Sequence, residues 1–185
     1  MFALDYDGTI ADTNTIKSKW IRDEFGIEIA PYNCDRTWCV PIIGEDNYNR
    51  MSPFVYDREH SLQAKPIPGA PEALRTLSEH SPVYVVTART GSNAPFAEEW
   101  LTEHGLMQYI ERIIPGTGEP KITVAKSLGC SILIDDDIRH LTDMPGNGMK
   151  LLLIKPGFEG DVSLPLGVTL CTTWERLVEE AVKGI

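Results

Sequence analysis

Close to the start of the sequence, a short apolar run ends in two aspartates spaced two residues apart: Phe2-Ala3-Leu4-Asp5-Tyr6-Asp7-Gly8-Thr9-Ile10-Ala11-Asp12. No other stretch constrains the fold as strongly. If residues 2 to 5 form a strand, side chains two apart point the same way, so Asp5 and Asp7 converge on one site. Two like charges that close are costly unless a cation sits between them or one keeps its proton. A Gly following an apolar run is otherwise a common turn signal, so the rest of the chain has to decide between a turn and a site.

From Gly69 onward the rhythm is regular. Pro71 suits a helix start, with Ala73, Leu74 and Leu77 forming its apolar face. Val83-Tyr84-Val85-Val86 is a near-continuous apolar run, as expected of a strand buried on both faces. A helix is predicted over 94–104, a strand over 110–114 and a helix over 121–128 with Gly129 at its end. Strands are then expected at 132–134, 151–154 and 168–170, and a final helix over 174–182. Strands alternating with helices predict an α/β fold with a doubly wound parallel sheet. In such sheets ligands bind beyond the carboxyl ends of the strands. Three polar clusters fall there: Asp5-Tyr6-Asp7, Thr87-Ala88-Arg89 and Asp135-Asp136-Asp137.

Residues 13–66 break this rhythm and read as a separate inserted unit. A helix is expected from about Thr15 to Phe25, with a loop rich in Pro, Asn, Cys and Trp after it, and Pro66 and Pro68 close the unit. The expected division is therefore a core of 1–12 and 67–185 with an insertion of 13–66.

Composition narrows the function classes. The formal net charge is −10 and the basic residues are scattered, which disfavours a partner gripped by its nucleic-acid backbone. No stretch approaches the roughly 20 apolar residues needed to span a bilayer, and no basic, apolar leader precedes the motif. A cytoplasmic protein is the expectation. The four cysteines, Cys34, Cys39, Cys130 and Cys171, match no metal or redox spacing and are expected as free thiols.

The residue types at the sheet edge suit phosphoryl transfer, which needs a nucleophile, a proton donor for the leaving oxygen and positive charge around the transferring group. Asp5 can attack, and Asp7 can give and later take a proton. Asp136, with Asp135, can complete the oxygen shell of a magnesium ion. Thr87 offers a hydroxyl at a strand end, and Lys121 an ammonium at a helix start. Each also has an ordinary structural explanation: Thr87 as a turn cap, Lys121 as a solvated lysine, the aspartate triplet as a helix cap.

With these residues in place, the chain resembles the haloacid dehalogenase (HAD) superfamily of aspartate-nucleophile phosphatases. D-Y-D-G-T-I is similar to its first motif, V-V-T-A-R to the second, G-E-P-K to the third and I-L-I-D-D-D to the fourth. The resemblance implies Asp5 as the phosphorylated nucleophile and Asp7 as general acid/base, with Thr87 and Lys121 holding phosphate. It also implies magnesium bound by Asp5, the backbone carbonyl of Asp7, and Asp136, with Asp135 beside them. Thr9, Ala88 and Arg89 fall where substrate contacts are expected, with Arg89 able either to reach a substrate oxygen or to pair with a site carboxylate. Lys126 is a neighbouring alternative to Lys121.

In this superfamily an insertion between the first two motifs is a small helical cap that closes over the site and selects the substrate. Within it, the chain is most similar to 5′(3′)-deoxyribonucleotidases, through D-x-D-G-T-x-A-D, T-A-R, the helix carrying Trp100, Leu101, His104 and Gly105, Glu111 to Ile114, and L-I-D-D. That likeness implies a nucleoside monophosphate as substrate and magnesium as cofactor. Trp20, Trp38, Phe54 and Tyr56 are candidates to stack a base, or else to form the cap's own core. A polynucleotide 3′-phosphatase, a sugar-phosphate phosphatase and a receiver-like phosphate acceptor are the competing readings. The order of acidic clusters along the chain disfavours the receiver.

Overall fold

The structure is a computed structural model that describes residues 1–142 and 148–183. Residues 143–147 and 184–185 of the expected core segment lie outside the described residues. Six strands form one sheet: β1 (Phe2–Leu4), β2 (Val83–Val86), β3 (Arg112–Ile114), β4 (Ile132–Asp135), β5 (Lys150–Ile154) and β6 (Val168–Cys171). Their order is β3-β2-β1-β4-β5-β6, and every pairing is parallel. β1 lies in the middle, with Phe2 in register with Val83 on one side and Ile132 on the other. The expected α/β fold with a doubly wound parallel sheet is the fold observed.

The apolar runs form this sheet because both of its faces are covered. Phe2 and Leu4 of β1, Ile132 and Ile134 of β4, and Leu152 and Ile154 of β5 join one core cluster. The alternate residues Ala3, Leu133, Leu151 and Leu153 join the cluster on the other side. On the first face pack α5 (Ala70–His80), α6 (Ala94–Glu103) and α8 (Trp174–Val182), through residues such as Leu74, Trp100 and Leu177. On the second packs α7 (Lys121–Ser127), through Ile122 and Ala125.

Between β1 and α5 lie four α-helices: α1 (Thr13–Phe25), α2 (Arg36–Ile43), α3 (Glu45–Val55) and α4 (Arg58–Gln63). α1 to α3 contribute to a separate cluster that includes Ile21, Cys34, Cys39, Tyr48, Met51 and Val55, whereas Leu62 of α4 packs against the main core. The two connections to the core run side by side. The Asp12 amide donates to the Lys65 carbonyl at 2.8 Å, and the Ile67 amide to the Ile10 carbonyl at 2.9 Å.

Element boundaries differ from expectation where local caps intervene. α1 begins at Thr13 rather than Thr15 because the Asp12 side chain accepts from the Thr15 amide at 3.0 Å, capping the helix earlier. β3 begins at Arg112 rather than Ile110 because Met107–Tyr109 winds into a 3-10 turn first. All four cysteines are buried free thiols. Among the described residues no helix is long and apolar enough to cross a membrane.

Candidate active site at the carboxyl edge of the sheet

The end of β1 places Asp5 between its neighbours: its amide donates to the Ile134 carbonyl of β4 at 2.9 Å. Gly8 then turns the chain with φ +78°, a conformation that favours glycine. A side chain there would also be blocked, since a Cβ on Gly8 would lie 2.1 Å from Asp136 Oδ2 and 2.4 Å from Asn14 Nδ2. The start of α7 aims Lys121 at the same point. Its ammonium lies 2.6 Å from Asp5 Oδ1 and 2.7 Å from Asp135 Oδ2, with all three side chains buried. Asp135 Oδ1 in turn accepts from the Asp137 amide at 2.9 Å.

Asp7 faces a different cation. Arg89 grips both of its carboxylate oxygens, Nε to Oδ2 at 2.9 Å and Nη2 to Oδ1 at 2.8 Å. The same guanidinium donates to Ser61 Oγ of α4 at 2.7 Å and lies over the rings of Tyr6 and Tyr56. Burial alone would raise the Asp7 pKa, but the Arg89 pair outweighs it and holds the carboxyl below its ordinary value. Asp5 goes the other way. Its burial dominates, Lys121 offsets only part of that, and Asp135, Asp136 and Asp7 add repulsion, so its pKa is raised well above the usual range.

Besides Ser61, three contacts bring the helical insertion to this edge. Asn14 Nδ2 of α1 donates to Asp136 Oδ2 at 2.7 Å, and Lys17 Nζ donates to Asn14 Oδ1 at 2.9 Å. Thr37 Oγ1 of α2 donates to Asp137 Oδ1 at 2.5 Å. Lys155, just after β5, pairs with Asp35 at the start of α2 and donates to the Tyr32 carbonyl at 2.8 Å.

Together these groups line a cavity of about 190 Å³. Its aspartates are Asp5, Asp7, Asp35, Asp135, Asp136 and Asp137; its cations are Lys17, Arg89, Lys121 and Arg139. Burial, with Lys121 and Arg139 nearby, lowers the pKa of the lining His140 to about 3, so it stays neutral. Asp5, Asp135 and Asp136 each offer an oxygen, and these oxygens lie within 4.8 Å of one another. An all-oxygen, carboxylate-rich donor set fits a hard divalent cation such as magnesium. The Asp7 side chain is taken up by Arg89.

The other expected residues divide. Ala88 lines the cavity beside Arg89. Thr87 is buried at the end of β2 with its Oγ1 accepting from the Arg89 amide at 3.1 Å, the arrangement of a turn cap. Thr9 is fully buried, and its hydroxyl has no hydrogen-bond partner. Lys126 is exposed on α7, while Lys121 points inward. Trp20 and Trp38 do not line the cavity, contrary to expectation. Trp20 packs edge-on against Phe25 beneath Arg50, on the insertion's own cluster. Trp38 packs against Phe158, with the Lys155 ammonium over its ring. Phe54 stacks on His60. Of the four aromatic candidates, only Tyr56 reaches the cavity, and Tyr48 joins it. Asn14 and Lys17 were not anticipated. Their i, i+3 spacing on α1 was the available signal, since it places both on one helix face.

A doubly wound parallel sheet with an acidic cluster and a lysine beyond its central strands, and a helical insertion after the first strand, is the architecture of solved HAD-type hydrolases. Solved structures share the fold. A predicted phosphatase from Clostridium acetobutylicum superposes with a TM-score of 0.63 at 14% identity, covering 98% of this chain and 97% of that one. A HAD-type hydrolase from Bacillus subtilis, solved with magnesium bound, gives 0.61 at 15% identity, with 98% and 97% covered. A HAD-superfamily hydrolase from Ehrlichia chaffeensis gives 0.57 at 15% identity, with 98% and 95% covered. A search of curated proteins finds no match. Residues 1–157 match the family described as 5′ nucleotidase, deoxy (pyrimidine), cytosolic type C protein, and the chain belongs to that family.

Proposed function

We propose that the protein is a magnesium-dependent phosphomonoesterase that hydrolyses nucleoside monophosphates, deoxynucleotides foremost, through an aspartyl-phosphate. The observation that carries this reading is the pairing of Lys121 with Asp5 and Asp135, an oxygen of Asp136 lying within 4.8 Å of theirs, with Asp7 two residues beyond the nucleophile. Family membership supports the nucleotide as substrate.

A carboxylate oxygen of Asp5 attacks phosphorus as the bond to the leaving oxygen breaks, and that oxygen takes its proton from Asp7. Asp7 then removes a proton from water, the water oxygen attacks phosphorus, and the Asp5–phosphorus bond breaks to release inorganic phosphate. Lys121 neutralises phosphate oxygens throughout. Asp5, Asp136 and the Asp7 carbonyl, with Asp135 adjacent, would hold magnesium, which supplies charge against the phosphate oxygens. Thr87 and the backbone around Ala88, which lines the cavity, complete the phosphate cradle.

Arg89 holds Asp7 ionised in the resting arrangement. A phosphate oxygen that draws the guanidinium away leaves Asp7 buried without its partner, which favours the protonated acid that the first step requires. Substrate arrival and acid formation are thereby coupled.

The insertion of 13–66 acts as the cap. A cavity of about 190 Å³ is smaller than the roughly 300 Å³ at which ligand pockets begin, so the cap must swing to admit a nucleotide. The paired connections at Asp12–Lys65 and Ile10–Ile67 are its pivot. Tyr48 and Tyr56 are the cap residues positioned to meet sugar or base.

The test is phosphate release from 5′- and 3′-nucleoside monophosphates, ribo and deoxy, beside sugar phosphates and a chromogenic ester, with magnesium or with chelator. Selective, magnesium-dependent release from deoxynucleotides is expected. Release from sugar phosphates alone would remove the nucleotide from the reading.

A further inference from the structure

The hydrogen bonds between α1 and the sheet edge run in one direction only. Lys17 is a donor without acceptor capacity, and it bonds Asn14 Oδ1 at 2.9 Å. The Asn14 amide must therefore present Nδ2 on its other side, where it meets Asp136 Oδ2 at 2.7 Å. All three side chains are about 95% buried, so no solvent competes for these groups. The path between them is open because residue 8 is glycine: a Cβ there would overlap both Asp136 Oδ2 and Asn14 Nδ2. Lys17 itself is held in its charged form. Burial opposes the charge, but Tyr56, Tyr48, Asp136 and Asp7 around it outweigh burial and raise its pKa well above the ordinary value.

We infer that Asn14 is a positioning residue for Asp136, and that Lys17 fixes the amide orientation in which Asn14 does so. With Oδ2 of Asp136 held by Asn14, the carboxylate is locked in one rotamer and presents its remaining lone pairs to the metal position beside Asp5 and Asp135. Outer partners of this kind typically change metal affinity by about 10- to 100-fold. The inference rests on the proposed role of Asp136 as a magnesium ligand. It adds that the cap's first helix, and not the core alone, sets the geometry of that ligand. A cap that swings away would take Asn14 with it and loosen the ion site.

The test measures magnesium binding by isothermal titration calorimetry in the absence of substrate, on wild-type protein, Asn14→Ala, Lys17→Met and the double variant. Asn14→Ala is expected to weaken the magnesium Kd by about 10-fold or more, and Lys17→Met by about threefold. The double variant should be no weaker than Asn14→Ala alone, because Lys17 acts through Asn14. An unchanged Kd in folded Asn14→Ala, or losses that multiply in the double variant, overturns the inference while leaving Asp136 as a ligand. If Asn14→Ala does not fold, Lys17→Met decides alone, and an unchanged Kd overturns it. Wild-type protein that takes up no magnesium overturns the parent reading and this one with it.

Discussion

The carboxyl edge of the sheet and the helical insertion meet around one cavity, yet they are built differently. The edge is made of strand ends whose backbone is fixed on both sides: β1 is paired with β2 and β4 along its length. Its charges pair with one another at short range, Lys121 with Asp5 and Asp135, Arg89 with Asp7. The insertion has its own apolar cluster and reaches the edge through single polar contacts from Asn14, Thr37, Asp35 and Ser61. A rigid frame carries the chemistry; the insertion packs on it through Ile16, Leu62 and Ala64 and meets the cavity edge through hydrogen bonds and ion pairs. Such contacts can break and re-form without unfolding either part, which is what a closing lid requires.

Substitutions on the two sides should separate accordingly, the frame giving the largest effects. Asp5→Asn is expected to lower turnover by about 10⁴-fold or more while thermal unfolding stays near wild type; residual activity within tenfold of wild type would end the covalent mechanism. Gly8→Ala strains a positive-φ position and drives a methyl into the Asn14–Asp136 contact. It should cost about 2–3 kcal/mol in chemical denaturation and weaken magnesium binding as well. A neutral result would mean that the turn relaxes and the contact is dispensable.

Arg89→Ala tests the boundary between frame and lid. Asp7 is held below its ordinary pKa by Arg89, so the pair contributes stability that is present above the usual carboxylate range near 4 and lost as pH falls through the lowered value. Without Arg89 the burial of Asp7 is unopposed and its pKa rises. The basic limb of the kcat/KM profile, on which activity falls as the general acid Asp7 loses its proton, should then move to higher pH. An unmoved limb would assign it to another group.

The lid should give the smallest effects on chemistry. Tyr56→Leu is expected to change the ratio of deoxynucleotide to chromogenic-ester turnover several-fold, measured as paired kcat/KM values; equal loss on both would place Tyr56 in the chemistry instead of selection. Trp20→Leu should change neither substrate more than about twofold, while lowering stability by about 1–2 kcal/mol. A large loss of activity there would bring Trp20 back towards the substrate.

The frame was legible in the sequence and the lid was not, for a physical reason. Strands such as Val83–Val86 and Ile132–Asp135 are buried on both faces, so they appear as unbroken apolar runs, and the polar residues that follow fall at the sheet edge by geometry alone. In the insertion, the polar residues that face the cavity carry no such mark. Asn14 and Lys17 are buried on a helix of weak amphipathic pattern, beside Thr13 and Ile21. The aromatic residues mislead in the opposite direction. Trp20 and Trp38 are large and conspicuous in sequence, and each is consumed by packing, one in the insertion's cluster and the other against Phe158. Tyr56, less conspicuous, is the aromatic that reaches the cavity. The early start of α1 was visible in Asp12, whose capping geometry extends the helix backward by two residues.

The position of β1 in the middle of the sheet has a consequence for the order in which the chain can fold. Residues 2–4 leave the ribosome well before their partners at 83–85 and 132–134 are made. Until then the strand that ends in Asp5 has two open edges and nothing to cover its faces. The insertion's helices, with their largely local contacts, can form in the interval, so the lid is assembled before the frame it closes upon. Synthesis halted between β2 and β4 would leave β1 paired on one side and exposed on the other, a state prone to join with its own copies.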